Sequence, residues 1–238
     1  MTFSKEHLNT YLDNHYIHRS NWLRAAVLGA NDGILSTASI AIGIATASDA
    51  RDPLILATLA GLVAGSLSRA AGEFVSVSSQ TDIEQADIER ERKELEEMPE
   101  LELQRLAEIY ENRGLKKETA LTVAKELTEH DVLEAHIRDE LGINEVSQAN
   151  PFQAAFASGA AFTFGGALSF LVTLFFPLSS MEYSIYGITT VSLILLGAIS
   201  AKTGGSSVSK AVIRITFWGS IAMGLTAVVG YLFNVGVT

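Results

Sequence analysis

Hydrophobic residues fall along this chain in long blocks rather than at alternating positions. Apolar runs occupy Ala25 to Ala47, Pro53 to Ser79, Pro151 to Leu178, Tyr183 to Ala201 and Ile215 to Val235. A helix needs about 20 residues to cross a hydrocarbon core ~30 Å thick, so each run can span a bilayer, the fourth only barely. Between the second and third runs the pattern changes. Charged residues dominate, and Leu103, Leu106, Ile109 and Tyr110 recur at helical spacing. The predicted fold is therefore all-α, a multi-pass membrane protein with five transmembrane helices. Residues 25–79 carry the first two, 149–238 the last three, 80–148 form a helical insert, and 1–24 form a polar N-terminal segment. Met1 to Arg24 lacks the apolar stretch of a signal peptide, so the first span is expected to be retained.

Helix signals subdivide the insert. Residues 80–97 continue the second span without a Gly or Pro, which predicts one long helix that Pro99 stops. Further helices are expected over 100–112, ending at Gly114, over 117–129, and over 132–141 before Gly142.

Composition sharpens this picture. The chain is 48% hydrophobic and 18% charged, with mean hydropathy +0.26, too apolar for an ordinary soluble domain of 238 residues. Its net charge of −10 is concentrated: residues 80–148 hold 20 acids and 9 bases, and the rest of the chain 7 and 8. An acidic chain without clustered Lys and Arg is not a nucleic-acid binder. With no cysteine, structural disulfides, thiolate metal sites and Fe–S clusters are excluded. No Gly-x-Ser-x-Gly, Walker loop or Glu-x-x-His occurs, so hydrolase, ATP-driven pump and ferritin-like readings have no support. The expectation is a protein that is not an enzyme and carries no prosthetic group.

Basic residues orient the spans. Lys5, Arg19 and Arg24 precede the first, and Lys202, Lys210 and Arg214 lie between the fourth and fifth, whereas the opposite side has only Arg51. The positive-inside rule makes the N-terminus and the insert cytoplasmic and the C-terminus external, in the cell (inner) membrane.

Three charges sit inside spans, where each costs roughly 2.5 to 3.5 kcal/mol on insertion scales and so faces a cavity or a partner. Asp32 and Glu73 lie ~10 Å and ~9 Å from the same membrane face, with Arg69 one turn deeper, so the three can share one layer. They are candidates for a transport pathway lined by carboxylates; the competing reading is a structural ion pair between Asp32 and Arg69. Gly29 with Gly33, and Gly61 with Gly65, make two GxxxG patterns, which predict close pairing of the first two spans around that layer.

The insert offers a second set of candidates. Glu84, Asp87, Glu91 and Glu94 fall on one helix face, and His136 with Glu140 at i, i+4 adds a second possible ligand pair. A solvated acidic face is one reading, since Glu favours helices. A metal site is the other, because like charges crowded on one face need a cation to offset them. Carboxylate with imidazole suits Mn(II), Fe(II) or Zn(II). His7, His15 and His18 fit interfacial side chains better than ligands, and His130, next to Asp131, fits simple surface.

The stretches HRSNWLRAAVLGANDGILSTASIAIGIA, AGSLSRAAGEFVSVSSQTDIEQADIERERKEL and DELGI resemble the vacuolar iron transporter family, in its bacterial branch, over nearly the whole chain. The resemblance implies five helices per subunit in a homodimer, a cytoplasmic domain that collects metal through glutamates, and exchange of Fe2+ or Mn2+ for protons. It assigns the pathway aspartate to Asp32 and metal-binding glutamates to Glu91, Glu94, Glu102 and Glu140, with His136 near a methionine of plant members. The chain departs from the family at Ala25 and Gly61, where some members have acids, at Arg69, where a methionine is usual, and at Arg105, where a metal-domain glutamate is expected.

Three functional classes follow: a divalent metal (Fe2+/Mn2+) transporter exporting from the cytoplasm in exchange for protons; a membrane-anchored metal-binding or sensing protein without transport; and a structural membrane protein with a solvated acidic domain. The expected partners are divalent metal ions, the lipid bilayer and a second copy of the chain.

Overall fold

The computed structural model describes residues 20–143 and 150–235, in which every regular element is helical. In chain order these are α1 Ser20–Ala47, α2 Arg51–Glu97, α3 Pro99–Asn112, α4 Lys117–Asp139, α5 Pro151–Phe175, α6 Met181–Thr203 and α7 Val208–Val235, with a short 3-10 turn at Leu178–Ser180 before α6. Five of them, α1, α2, α5, α6 and α7, are long and apolar enough to cross a membrane. This is an all-α, multi-pass membrane protein. The predicted N-terminal segment, with His7, His15, His18 and Arg19, lies outside the described residues.

The chain divides into two compact units. One combines the described residues up to Val75 with those from Pro151 onward; the other is Ser76–Asn150. Helix α2, 47 residues and so about 70 Å long, contributes its first half to the one and its second half to the other.

Within the first unit α1 is central, packing on α5, α6 and α7. The glycine pattern of α1 was expected to serve α2, and the structure corrects this. A Cβ at Gly29 or Gly33 would collide with the backbone of Ser158 or Phe162, both on α5, and Gly165 of α5 faces the Ala30 carbonyl in return. In α2, Gly61 instead accommodates the Ile40 side chain and Gly65 the Phe162 ring. The reason is that α5 brings small residues of its own to the contact, so two glycine-bearing backbones meet there. One end of the unit is closed by a core of Ala38, Ala41, Ile42, Leu54, Val172, Met181, Ile185 and Met223. There Arg51 donates to the carbonyls of Leu174 (2.9 Å) and Phe176, satisfying the otherwise open C-terminus of α5.

Several boundaries differ from the hydropathy reading, and α1 starts five residues early, at Ser20 rather than Ala25. Helix α5 ends at Phe175, two residues before Pro177, and α6 starts at Met181, two residues earlier than expected. Helix α7 starts at Val208 rather than at Ile215, because residues 208–214 contain charges but no helix breaker, and Gly205 at φ 68° ends the preceding turn.

In the second unit α3 packs on α4 around Leu106, Ala107, Ala124 and Ala135, flanked by Leu103, Tyr110 and Leu127. The predicted break between residues 129 and 132 is a kink at Asp131 (φ −160°, ψ 99°) inside α4. The Asp131 carboxylate accepts from the Glu134 amide at 2.9 Å, an N-cap that restarts the helix. Gly114 and Gly142 follow α3 and α4 with φ of 102° and 69°, a conformation that L side chains rarely adopt.

Candidate metal centre

Four side chains from three helices converge in the second unit. Glu91 comes from α2, Glu102 from the first turn of α3, His136 from the last turns of α4, and Glu140 from its C-cap. One ligand atom from each lies within 4.8 Å of all the others. Glu91 is 3% exposed, Glu102 1% and His136 0%, which is unusual for ionisable groups without a matching set of cations. The kink at Asp131 restarts the helix that carries His136 and Glu140, and Pro99 starts the helix that carries Glu102.

His136 Nδ1 is the hub. It lies 2.8 Å from Glu91 Oε1, 3.0 Å from Glu140 Oε2 and 4.0 Å from Glu102 Oε2. Only the Glu140 contact has hydrogen-bond geometry. Glu91 Oε1, though closer, makes no hydrogen bond, and neither does His136 Nε2. A buried carboxylate oxygen without a donor costs about 1–3 kcal/mol or more, whereas Glu91 Oε1 and His136 Nδ1, 2.8 Å apart, can share a cation. Burial, followed by the Glu140 charge, pushes the Glu91 carboxyl above its usual 4.5; His136 and Arg105 pull the other way without cancelling it. Three carboxylates and an imidazole make a donor set suited to Mn(II), Fe(II) or Zn(II).

Arg105 is the one cation bonded into this group among the described residues. Its Nη1 lies 3.1 Å from Glu102 Oε1 and 3.2 Å from Glu94 Oε2, and its Nη2 bonds Glu140 Oε1. Glu94, a sequence candidate, stands outside the four-residue cluster and pairs with Arg90 (3.2 Å) and Arg105. Of its helix face, Glu84 accepts from Gln80 and Asp87 is exposed, so only Glu91 enters the buried group. Arg105, Glu108, Ile109, Asn112, Asp139 and Glu140 line an adjacent cavity of about 270 Å³.

Sequence reasoning missed the support beside Glu140. Asp139 accepts from Tyr110 (2.7 Å), Arg113 (2.6 Å) and Arg138 (2.9 Å), joining the end of α3 to the end of α4. Arg113 also lies over the Tyr110 ring, 5.3 Å from its centre.

The intramembrane candidates lie in the first unit. Asp32, Ser36 and Ile40 of α1, Gly61, Ala64, Gly65, Ser68, Arg69 and Gly72 of α2, and Phe162 of α5 line a cleft of about 480 Å³. Asp32 accepts from Ser36 at 2.9 Å. The Asp32–Arg69 ion pair of the competing reading does not form: Arg69 Nη2 lies 3.6 Å from Glu73 Oε2, one turn along the same helix, where i, i+4 spacing makes that carboxylate the nearer partner. Asp32 and Arg69 thus share a cleft, whose lining does not include Glu73. Ser36 and Phe162 have no charge or spacing to mark them in the sequence.

Comparison with known proteins identifies the family. The profile of the VIT family matches residues 23–231. A vacuolar iron transporter of Acanthamoeba castellanii is 46% identical over 90% of this chain and 79% of its own length. Vacuolar iron transporter homolog 2.1 of Arabidopsis thaliana is 32% identical over 89% and 81%, and vacuolar iron transporter homolog 1 of Oryza sativa subsp. japonica 34% over 92% and 77%. Matched from the first membrane helix through the last, across both the cleft and the insert, the chain belongs to the VIT family.

Proposed function

We propose that this protein carries divalent metal ions, Fe2+ or Mn2+, across a membrane, binding them at Glu91, Glu102, His136 and Glu140 and passing them through the Asp32 cleft. The observation that carries this reading is the buried convergence of three carboxylates and an imidazole within 4.8 Å, with Glu91 Oε1 left without a hydrogen-bond partner. Asp32 serves the membrane part because it is a carboxylate on an open cleft whose only hydrogen bond described is from a hydroxyl. Arg69 and Glu73 tune the charge of that cleft. The basic residues flanking α1 and α7 support a cytoplasmic insert and an external C-terminus in the cell membrane. Metal then enters from the cytoplasm, and protons arriving from outside compete for the same carboxylates and drive its release. The working unit is a homodimer, as the resemblance implies.

A binding titration tests the carrying observation. The purified protein should bind Mn2+ at pH 7, and binding should weaken as pH falls toward the carboxylate range. Because burial raises Glu91, proton competition should begin above the usual 4.5. Glu91→Gln with Glu140→Gln should abolish the high-affinity phase; undiminished affinity would return these residues to ordinary surface.

One observation favours a second reading, a membrane-anchored metal binder that does not transport. Arg69 places a permanent cation on the cleft lining. Such a protein passes the titration and moves no ion.

A further inference from the structure

Arg105 is the feature of the metal centre that its donor set does not require. A cation-binding cluster gains nothing from a resident guanidinium that competes for its oxygens, yet Arg105 bonds both Glu102 and Glu140, two of the four converging residues. Its third carboxylate partner, Glu94, has Arg90 as well and is thereby balanced outside the cluster. The charges inside are then simple to follow. Glu91, Glu102 and Glu140 contribute three negative charges when ionised, Arg105 contributes one positive, and His136 as a ligand is neutral.

We infer that Arg105 is a built-in counter-ion that limits this centre to a single divalent cation and sets its affinity, a specificity role for a residue that is not itself a ligand. One divalent ion brings the group to neutrality. A second would leave two uncompensated positive charges beside Glu91, Glu102 and His136, which are almost fully buried, a state that burial disfavours. The geometry supports the same limit. Arg105 Nη1 lies 3.1 Å from both Glu102 oxygens and takes the inner side of that carboxylate, and Nη2 holds Glu140 Oε1 while Oε2 faces His136, which leaves fewer carboxylate positions for a second cation. Glu91 Oε1, buried, without a hydrogen bond and 2.8 Å from His136 Nδ1, points to a cation on this side of the group. Arg105 also lines the adjacent 270 Å³ cavity together with Glu108 and Asp139. Removing its charge would therefore leave both space and acids for a second ion next to the first.

The inference rests on the proposed metal-binding reading, and the experiment separates the two. The full-length protein is titrated with Mn2+ by calorimetry, and bound metal is counted by elemental analysis after desalting. Wild type should hold one Mn2+ per chain. Arg105→Lys, which keeps the charge without the planar fork, should still hold one. Arg105→Gln should bind its first ion about tenfold or more tightly, because a cation within a few ångströms of the metal has been removed. Arg105→Glu should hold two. Two or more ions in wild type, or one ion with unchanged affinity in both Arg105→Gln and Arg105→Glu, overturns the inference. Should Arg105→Glu fail to fold, the contrast between Arg105→Lys and Arg105→Gln decides it, and equal affinity in those two counts against the role. If Glu91→Gln binds Mn2+ as wild type does, the metal lies elsewhere and the underlying reading fails, whatever Arg105 does.

Discussion

At Asp139 burial and hydrogen bonding pull in opposite directions. Burial alone would raise its carboxyl, but hydrogen bonds from Arg113, Tyr110 and Arg138 outweigh it and bring the carboxyl down from 3.8 to about 2. A depressed carboxyl stabilises the fold above the unfolded value, and that stability is lost as pH falls from 3.8 toward about 2. Its side chain is 7% exposed, so solvent screens it little. Asp139→Asn should therefore cost about 1–3 kcal/mol at pH 7, read as a lower unfolding midpoint of the detergent-solubilised protein, and the deficit should shrink at acid pH. An unchanged midpoint would make Asp139 an ordinary solvated carboxylate. The sequence separates Asp139 poorly from its neighbours because 20 acids crowd residues 80–148. Spacing tells which of them share a helix face, but not which face another helix covers. Glu91, His136 and Glu140 were therefore visible from spacing alone, Glu102 only through the family resemblance, and Glu84 and Asp87 share the face of Glu91 without entering the cluster.

Among the elements, α1 shows what a motif can and cannot specify. Its Gly29 and Gly33 announce a close backbone approach, and the approach exists, but the partner is α5 rather than α2. The identity of the partner lay in α5 itself, where Gly159, Gly165 and Gly166 stand among small residues. Gly33→Ala would push a Cβ into the Phe162 carbonyl, and over-packing of this kind typically costs about 1–3 kcal/mol. Gly224→Ala meets nothing within 4 Å. The first should reduce the monodisperse fraction on size exclusion in mild detergent and the second should not; equal behaviour would contradict the α1–α5 contact. Helix ends in the insert were more legible than those in the spans. Pro99, Gly114 and Gly142 act on the backbone directly, whereas hydropathy marks where a helix turns polar, as at Lys210 and Arg214 of α7, and not where it starts.

For the molecule as a whole, the five spans and the helical insert were readable because membrane thickness fixes the length of an apolar run. The layout of the cleft was not, since it depends on which residues α5 sets between α1 and α2. Arg69 is its sharpest feature. At ~6 Å and an effective dielectric of 20, a fixed cation repels a divalent ion by about 5–6 kcal/mol; the pairing with Glu73 at 3.6 Å offsets part of this. Arg69→Met should raise the rate of ion movement, and an unchanged rate would place Arg69 off the path. The central claim, that this protein moves divalent metal through the Asp32 cleft, is tested most directly by Mn2+ entry into liposomes holding the purified protein and a quenchable internal dye. Wild type should quench the dye faster than protein-free liposomes, and Asp32→Ala should fall to the protein-free rate while binding Mn2+ at the insert as before. Wild-type liposomes no faster than empty ones, with that binding intact, would contradict transport and leave a membrane-anchored metal binder.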